Sequence, residues 1–178
     1  SEVEKLAKEL RDLVREHTKR VRELIDELKK RVEDHTRKVE EIVKRLKKLV
    51  DDLRDANLDK DEVRKALEEA KRRLDDVRRR SKEVTDRLDK TLKDIERESE
   101  RAVREMDRRL REIERRSRDK KLEKLLKEVR ELVKRSHDEL KKLLDRVREA
   151  VEKSKRRLEK LLDTVRRLLE KVVRDLER

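Results

Sequence analysis

The side chains in this sequence with the chemistry of a nucleophile, a base or a metal ligand are few and evenly spaced. His17 and His35 stand 18 residues apart, Ser81 and Ser99 repeat that spacing, and Ser136 and Ser154 repeat it again, with His137 beside Ser136. A serine facing a histidine is the beginning of acyl-transfer chemistry, the hydroxyl attacking and the imidazole taking its proton. That chemistry also needs a third group to orient the imidazole, N–H donors for the oxyanion and a sharp turn to present the serine. No third group is discernible, and the chain has no glycine from which to build such a turn. His17 and His137 supply two imidazoles, too few for a zinc site, and no cysteine completes the set. His17 and His35 lie five turns apart on one helix and cannot share an ion. HExxH and calcium-loop patterns are absent, and glycine-rich phosphate loops cannot be built. No catalytic residue, metal ligand or cofactor is expected, and the chain is not expected to be an enzyme.

The elements that carry these residues must be helices. The chain holds 60 Lys+Arg and 47 Asp+Glu, with charged residues at 60% and hydrophobic ones at 31%, and it lacks Gly, Pro, Cys, Trp, Tyr and Phe. High charge with low hydrophobicity can mark disorder. Here the apolar residues fall at Val3, Leu6, Ala7, Leu10, Leu13 and Val14, the spacing of one helical face, and the pattern continues along the chain. Breaks must be read from interruptions of that stripe. The first lies between Asp55 and Glu62, where Asn57 is expected to take the left-handed conformation that ends a helix. Asp59 and Glu62 have capping-box spacing, with Leu58 placed as a hydrophobic staple. The second break runs through Ser117, Arg118, Asp119, Lys120 and Lys121, with Asp119 as N-cap. Helices over 2–56, 60–117 and 120–177 follow, each about 80 Å long at 1.5 Å per residue. Short connections make neighbours antiparallel, so the expected fold is all-α, an up-down-up three-helix bundle forming a single domain over 1–178.

An 18-residue repeat runs through all three helices: Leu10, Leu28 and Leu46; Leu74, Leu92 and Leu110; Leu122, Leu140, Leu158 and Leu176. Eighteen residues are five turns at 3.6 per turn, so the stripe runs straight where a seven-residue repeat would wind it into a left-handed supercoil. Nearly straight helices are expected. The stripe spans roughly 100–120°, enough for each helix to touch two others. This favours a monomer over an oligomer, with a core of Leu, Val, Ile and Ala and Met106 as its lone sulfur.

Small polar residues interrupt the stripe at matching heights. Folding the chain about residue 58 brings His17 opposite Ser99 and His35 opposite Ser81. Folding it near 117 brings Ser99 opposite Ser136 and Ser81 opposite Ser154. Two buried polar layers about 27 Å apart are expected. One contains His17, Ser99, Ser136 and His137, with Thr18 at its margin; the other contains His35, Ser81, Ser154 and Thr85, with Thr36 nearby. Buried polar groups cost a few kcal/mol unless partnered, so the layers are expected to bond internally and to penalise slipped registers. Neutral buried imidazoles would also have to charge as pH falls through and below about 6, which would weaken the fold in acid.

The net charge of +13 permits weak, nonspecific attraction to nucleic acid. Specific nucleic-acid recognition is not expected, because no aromatic side chain exists to stack on a base. No membrane partner is expected, since no apolar run approaches a span and the first residues lack a signal-peptide core. No small-molecule substrate is indicated. Most charges are read as solvated faces with i, i+4 pairs such as Glu4–Lys8 and Asp26–Lys30.

The missing glycine, proline and aromatics, the 18-residue repeat and the layered His, Ser and Thr residues together resemble a de novo designed, parametrically generated helical bundle with buried hydrogen-bond networks. The resemblance covers the whole chain. The helix start Asp61-Glu62-Val63-Arg64-Lys65-Ala66 and the segment Arg80-Ser81-Lys82-Glu83 are similar in style to designed cage-and-key switch bundles, although no latch is distinguishable. The resemblance implies a synthetic, soluble scaffold with no native substrate, cytosolic when expressed recombinantly. The alternative is a designed interaction module: a homo- or hetero-oligomer subunit, a partner-helix binder or a pH-responsive bundle. The rich stripe of Leu125, Leu126, Leu132, Val133, Leu143 and Leu144 gives that alternative some support.

Overall fold

Helices begin where acidic side chains meet the positive end of the backbone dipole and end where basic ones meet the negative end. Glu2 and Glu4 open α1 (Glu2–Asp55), Asp61 and Glu62 open α2 (Lys60–Arg116), and Glu123 opens α3 (Glu123–Glu177). Arg54, Arg115 with Arg116, and Arg174 occupy the last turns. The computed structural model describes residues 1–117 and 119–178; Arg118, in the middle of the second expected break, lies outside the described residues. No strand occurs among them, and the fold is the expected all-α, up-down-up three-helix bundle.

Each start and stop has a local cause. Ser1 caps α1, its Oγ accepting from Glu4 N–H at 3.2 Å. Asp119 caps the third helical run as its type predicts. Its backbone is extended, and its carboxylate accepts from Lys121 N–H at 3.0 Å. One 3₁₀ turn, Lys120–Leu122, then leads into α3. The first break differs from expectation in two ways. No described residue has positive φ, so Asn57 is not left-handed, consistent with the steric cost that conformation carries outside glycine. Leu58 is 48% exposed and staples nothing, because Val63, the residue it would pack on, is turned into the core at 4% exposure.

The helices contribute to two compact units. One comprises Ser1–Lys29 and Lys90–Glu149, and its core joins Ala7, Leu10 and Val14 of α1 to Met106, Leu110 and Ile113 of α2 and Leu126, Val129 and Val133 of α3. The start of α1 thus meets the end of α2 and the start of α3, which is the antiparallel sense that short connections require. The other comprises Lys30–Asp89 and Ala150–Arg178, where Val43, Leu46 and Val50 share a core with Val63, Leu67 and Leu74 and with Leu162, Val165 and Leu169. Repeat-equivalent positions keep their burial: Leu10, Leu28 and Leu46 are all buried, as are Leu74, Leu92 and Leu110. The stripe has a margin, however. Ile42, the repeat equivalent of the half-buried Leu6 and Leu24, is 40% exposed.

Candidate functional site

The polar residues singled out by their spacing lie on the inward faces of the helices. Ser81, Thr85, Ser99, Ser136 and Ser154 are buried, while His17, His35, His137, Thr18 and Thr36 are half-buried. A hydroxyl is small enough to sit in the stripe, whereas an imidazole reaches its edge.

In the unit that holds His35, the ring Nε2 lies 2.9 Å from Ser81 Oγ across the α1–α2 pair. Thr36, the next residue on α1, donates to the Val32 carbonyl at 2.8 Å. A hydroxyl has one proton, so Thr36 must accept from Ser154 of α3, whose Oγ is 2.5 Å away. The result is a directed chain, Ser154 to Thr36 to the Val32 carbonyl. Thr85 turns its hydroxyl onto its own helix, donating at 3.0 Å to the carbonyls of Ser81 and Lys82.

The same chain recurs in the other unit. Thr18 donates to the Val14 carbonyl at 2.7 Å, and Ser136 is hydrogen-bonded to Thr18. Both Thr–Ser pairs are 118 residues apart. His17 departs from the pattern of its counterpart His35. Its Nε2 is buried and has no hydrogen-bond partner among the described residues, so His17 and Ser99 are not bonded through that atom. Ser99 and His137 line a cavity of about 80 Å³ together with Glu96, Glu100, Lys141 and Asp145.

Burial, with nearby positive charge second to it, disfavours the protonated forms of His17 and His35. Burial first, and Arg20 second, hold the His17 pKa below its ordinary value. Burial first, and Lys38 second, do the same to His35. Neutral His35 can serve Ser81 as acceptor or donor according to its tautomer.

Ion pairs flank each hydroxyl chain, and their polarity alternates. Three residues beyond Ser136, Glu139 of α3 pairs with Arg22 of α1. Three beyond Ser154, Arg157 of α3 pairs with Glu40 of α1 at 2.5 Å. Arg22 and Glu40 are 18 residues apart, as are Glu139 and Arg157, so the same repeat position carries opposite signs in the two units. Nothing in the hydropathy pattern reveals this exchange; laying the repeats over one another does. On the α2–α3 side, Glu96 pairs with Arg148 at 2.6 Å and Asp89 with Lys155 at 2.5 Å. The Asp89 hydrogen bond raises the Lys155 pKa. Glu4 and Lys8 form the expected i, i+4 pair at 3.2 Å, whereas no ion pair joins Asp26 to Lys30.

The His35–Ser81 contact has the spacing of a base and its nucleophile. Mid-helix N–H groups beside it are committed to carbonyls four residues back, so the backbone there offers no donors to an oxyanion. Among the described residues no group of three or more His, Asp or Glu is placed to hold a metal ion, and no helix is long and apolar enough to cross a membrane. The arrangement can tie α1 to α2 and α1 to α3 through hydrogen bonds between their side chains.

No protein-family model matches the chain, and no curated protein matches it. Among solved structures it is similar to one described as a computationally designed three-helix bundle, at 20% identity and a TM-score of 0.61, covering 99% of this chain and 92% of that one. That likeness establishes the shared fold.

Proposed function

We propose that this chain is a designed structural scaffold with no native biochemical activity, in which core His, Ser and Thr groups specify how the helices pair. The observation that carries this reading is the Ser-to-Thr-to-carbonyl chain built twice at the same 118-residue offset. A slip of three, four or seven residues would keep aliphatic side chains meeting aliphatic ones while leaving these buried hydroxyls unpartnered, at about 1–3 kcal/mol each. A slip of one whole repeat escapes that penalty at one layer. The exchanged ion pairs oppose it, since Arg22 would then face Arg157, or Glu40 would face Glu139. The His35–Ser81 bond supports the same role for the α1–α2 pair. On this reading His17, Ser99, Ser136 and His137 belong to one layer and His35, Ser81, Ser154 and Thr85 to the other. The 18-residue repeat reflects parametric construction, the chain is a monomer, and residues 1–178 form one cooperative domain because every helix contributes to both units.

The test is a variant with Thr18, Thr36, Ser81, Ser99, Ser136 and Ser154 replaced by Val or Ala, carrying spin labels through Arg20→Cys and Lys134→Cys. The parent has no cysteine, so labelling is clean. Electron–electron distance measurements should give one narrow distribution for the labelled parent. The apolar variant should keep its helicity but show added distances, a seven-residue slip displacing one label by about 10 Å along the axis. An equally narrow, unshifted distribution in both chains would remove the proposed role.

A further inference from the structure

One groove of the bundle is apolar at its floor and basic on both walls. It lies between α1 and α2 within the unit formed by 30–89 and 150–178, and encloses about 600 Å³. Ile42, exposed at 40%, and the half-buried Leu49, Val77 and Val84 line it above the core residues Val39 and Leu46. Lys38 and Arg45 stand on the α1 wall, seven residues apart, and Arg73 and Arg80 stand on the α2 wall with the same spacing. The one lining carboxylate, Asp76, is engaged outside this set by Arg79 at 2.7 Å. Arg73 reaches Glu69 at 3.5 Å, while Lys38, Arg45 and Arg80 form no ion pair with any described residue.

The repeat supplies an internal comparison. Two repeats away along each helix, Leu6, Leu13 and Ile113 line the corresponding groove of the other unit, of about 360 Å³. There Glu9 stands where Arg45 stands here and Leu6 is half-buried where Ile42 is exposed, while the α2 walls match: Arg109 pairs with Glu105 as Arg73 does with Glu69, and Arg116 stands where Arg80 does. An exposed apolar floor and the cation Arg45 on the α1 wall therefore distinguish the groove beside Ile42.

From this we infer that the α1–α2 groove beside Ile42 is a docking site for an acidic amphipathic helix. Its occupant spans about 21 Å, the rise from position 35 to position 49, or roughly four turns. Apolar residues at the a and d positions of a heptad fill the floor. Acidic residues at e and g repeat every seven residues and meet the paired cations on either wall. A second copy of this chain fits less well, because a net charge of +13 sets like against like. A bilayer is too flat to reach a floor recessed between two helices. His35 and Ser81 border the groove, but the inference rests on Ile42 and the wall cations and not on their hydrogen bond.

The probe is a dye-labelled 15-residue peptide with Leu at a and d, Glu at e and g, and Ala or Gln elsewhere, followed by fluorescence anisotropy with the full chain at low salt. Saturable one-to-one binding is expected, about ten-fold or more tighter than for the same peptide with Lys at e and g. Ile42→Glu, and separately the pair Arg45→Glu with Arg80→Glu, should each weaken it at least about ten-fold. Circular dichroism confirms that each variant is folded; should Ile42→Glu unfold, the wall variant decides, its side chains being on the surface. Equal affinity for both peptides, unchanged affinity in the folded variants, or no binding near 1 mM overturns the inference. So does a dimer of the parent that Ile42→Glu dissolves, which makes a second copy the occupant. Binding of the parent, but not of Ile42→Glu, to vesicles of phosphatidylserine in phosphatidylcholine would reassign the surface to membranes and overturn it equally.

Discussion

His17 and His35 occupy equivalent positions of the repeat, yet replacing each by leucine should move stability in opposite directions. The Nε2 of His17 is sealed from solvent without a partner, whereas that of His35 lies 2.9 Å from Ser81 Oγ. An unpartnered buried polar atom costs roughly 1–3 kcal/mol. Because the His17 ring is half-buried, the lower end applies, and His17→Leu should stabilise the fold by about 1 kcal/mol. His35→Leu removes a hydrogen bond and strands the hydroxyl of Ser81, which is 7% exposed. After the gain from added apolar contact, a net loss of about 1 kcal/mol is expected. Leucine's higher helix propensity favours both variants equally and cancels in the comparison. The gap of about 2 kcal/mol corresponds to roughly 4–8 °C in a chain of this size. Guanidinium titrations near pH 7.5, followed by circular dichroism, measure it directly. Shifts of the same sign and size in the two variants would refute the difference drawn between the imidazoles.

Acidification provides a second test of the same groups. Both histidines are held below 6.5 in the fold, so as pH falls beneath that value the unfolded chain takes up protons before the folded one does. Relative to neutral pH, no stability is lost to their protonation above 6.5, and the loss grows as pH descends from there through the folded pKa values. The denaturation midpoint should be lower at pH 5 than at pH 7.5, and a variant carrying both His17→Leu and His35→Leu should narrow that gap; an unchanged gap counts against the assignment. In the hydroxyl chain, Thr36→Val strands the Ser154 proton and should cost about 1–2 kcal/mol, whereas Ser154→Ala leaves Thr36 still donating to Val32 and should cost about half as much. Equal losses in paired denaturation curves would contradict the assigned direction. Leu140→Ala, at a site 1% exposed, should cost about 2–5 kcal/mol, while Leu58→Ala in the link should cost under about 0.5. Asp119→Ala should lower stability by about 0.5–2 kcal/mol, and a midpoint unmoved by it would discount the cap at the start of the third helical run.

What could be read from the residues divides along physical lines. The apolar spacing fixes which face of each helix turns inward, and two interruptions suffice to place the hairpins, since no other signal competes with a stripe this regular. The height at which His35 meets Ser81 follows from folding the chain about residue 58. The Thr18–Ser136 and Thr36–Ser154 pairs were harder to foresee, because they join α1 to α3, which run parallel and are not consecutive. Hairpin folding compares neighbours in sequence and leaves that third pairing implicit. Asn57 and Leu58 misled for a different reason. Capping motifs are local preferences of small magnitude, and the burial of Val63 outweighs the staple. The lone Nε2 of His17 lay beyond pattern reading altogether, because partnering depends on ångström-scale reach rather than on residue type.

The constant burial along Leu10, Leu28 and Leu46, and along the matching leucines of α2, makes the bundle divisible. Cutting one 18-residue cassette from each helix at matching heights returns every remaining side chain to its former face, because five whole turns have been excised. Deleting a single residue instead rotates everything downstream by about 100° and carries the leucines out into water. The protein can thus be shortened or lengthened in quanta of five turns that preserve both the leucine face and the heights of the polar residues, which smaller near-whole-turn steps would not.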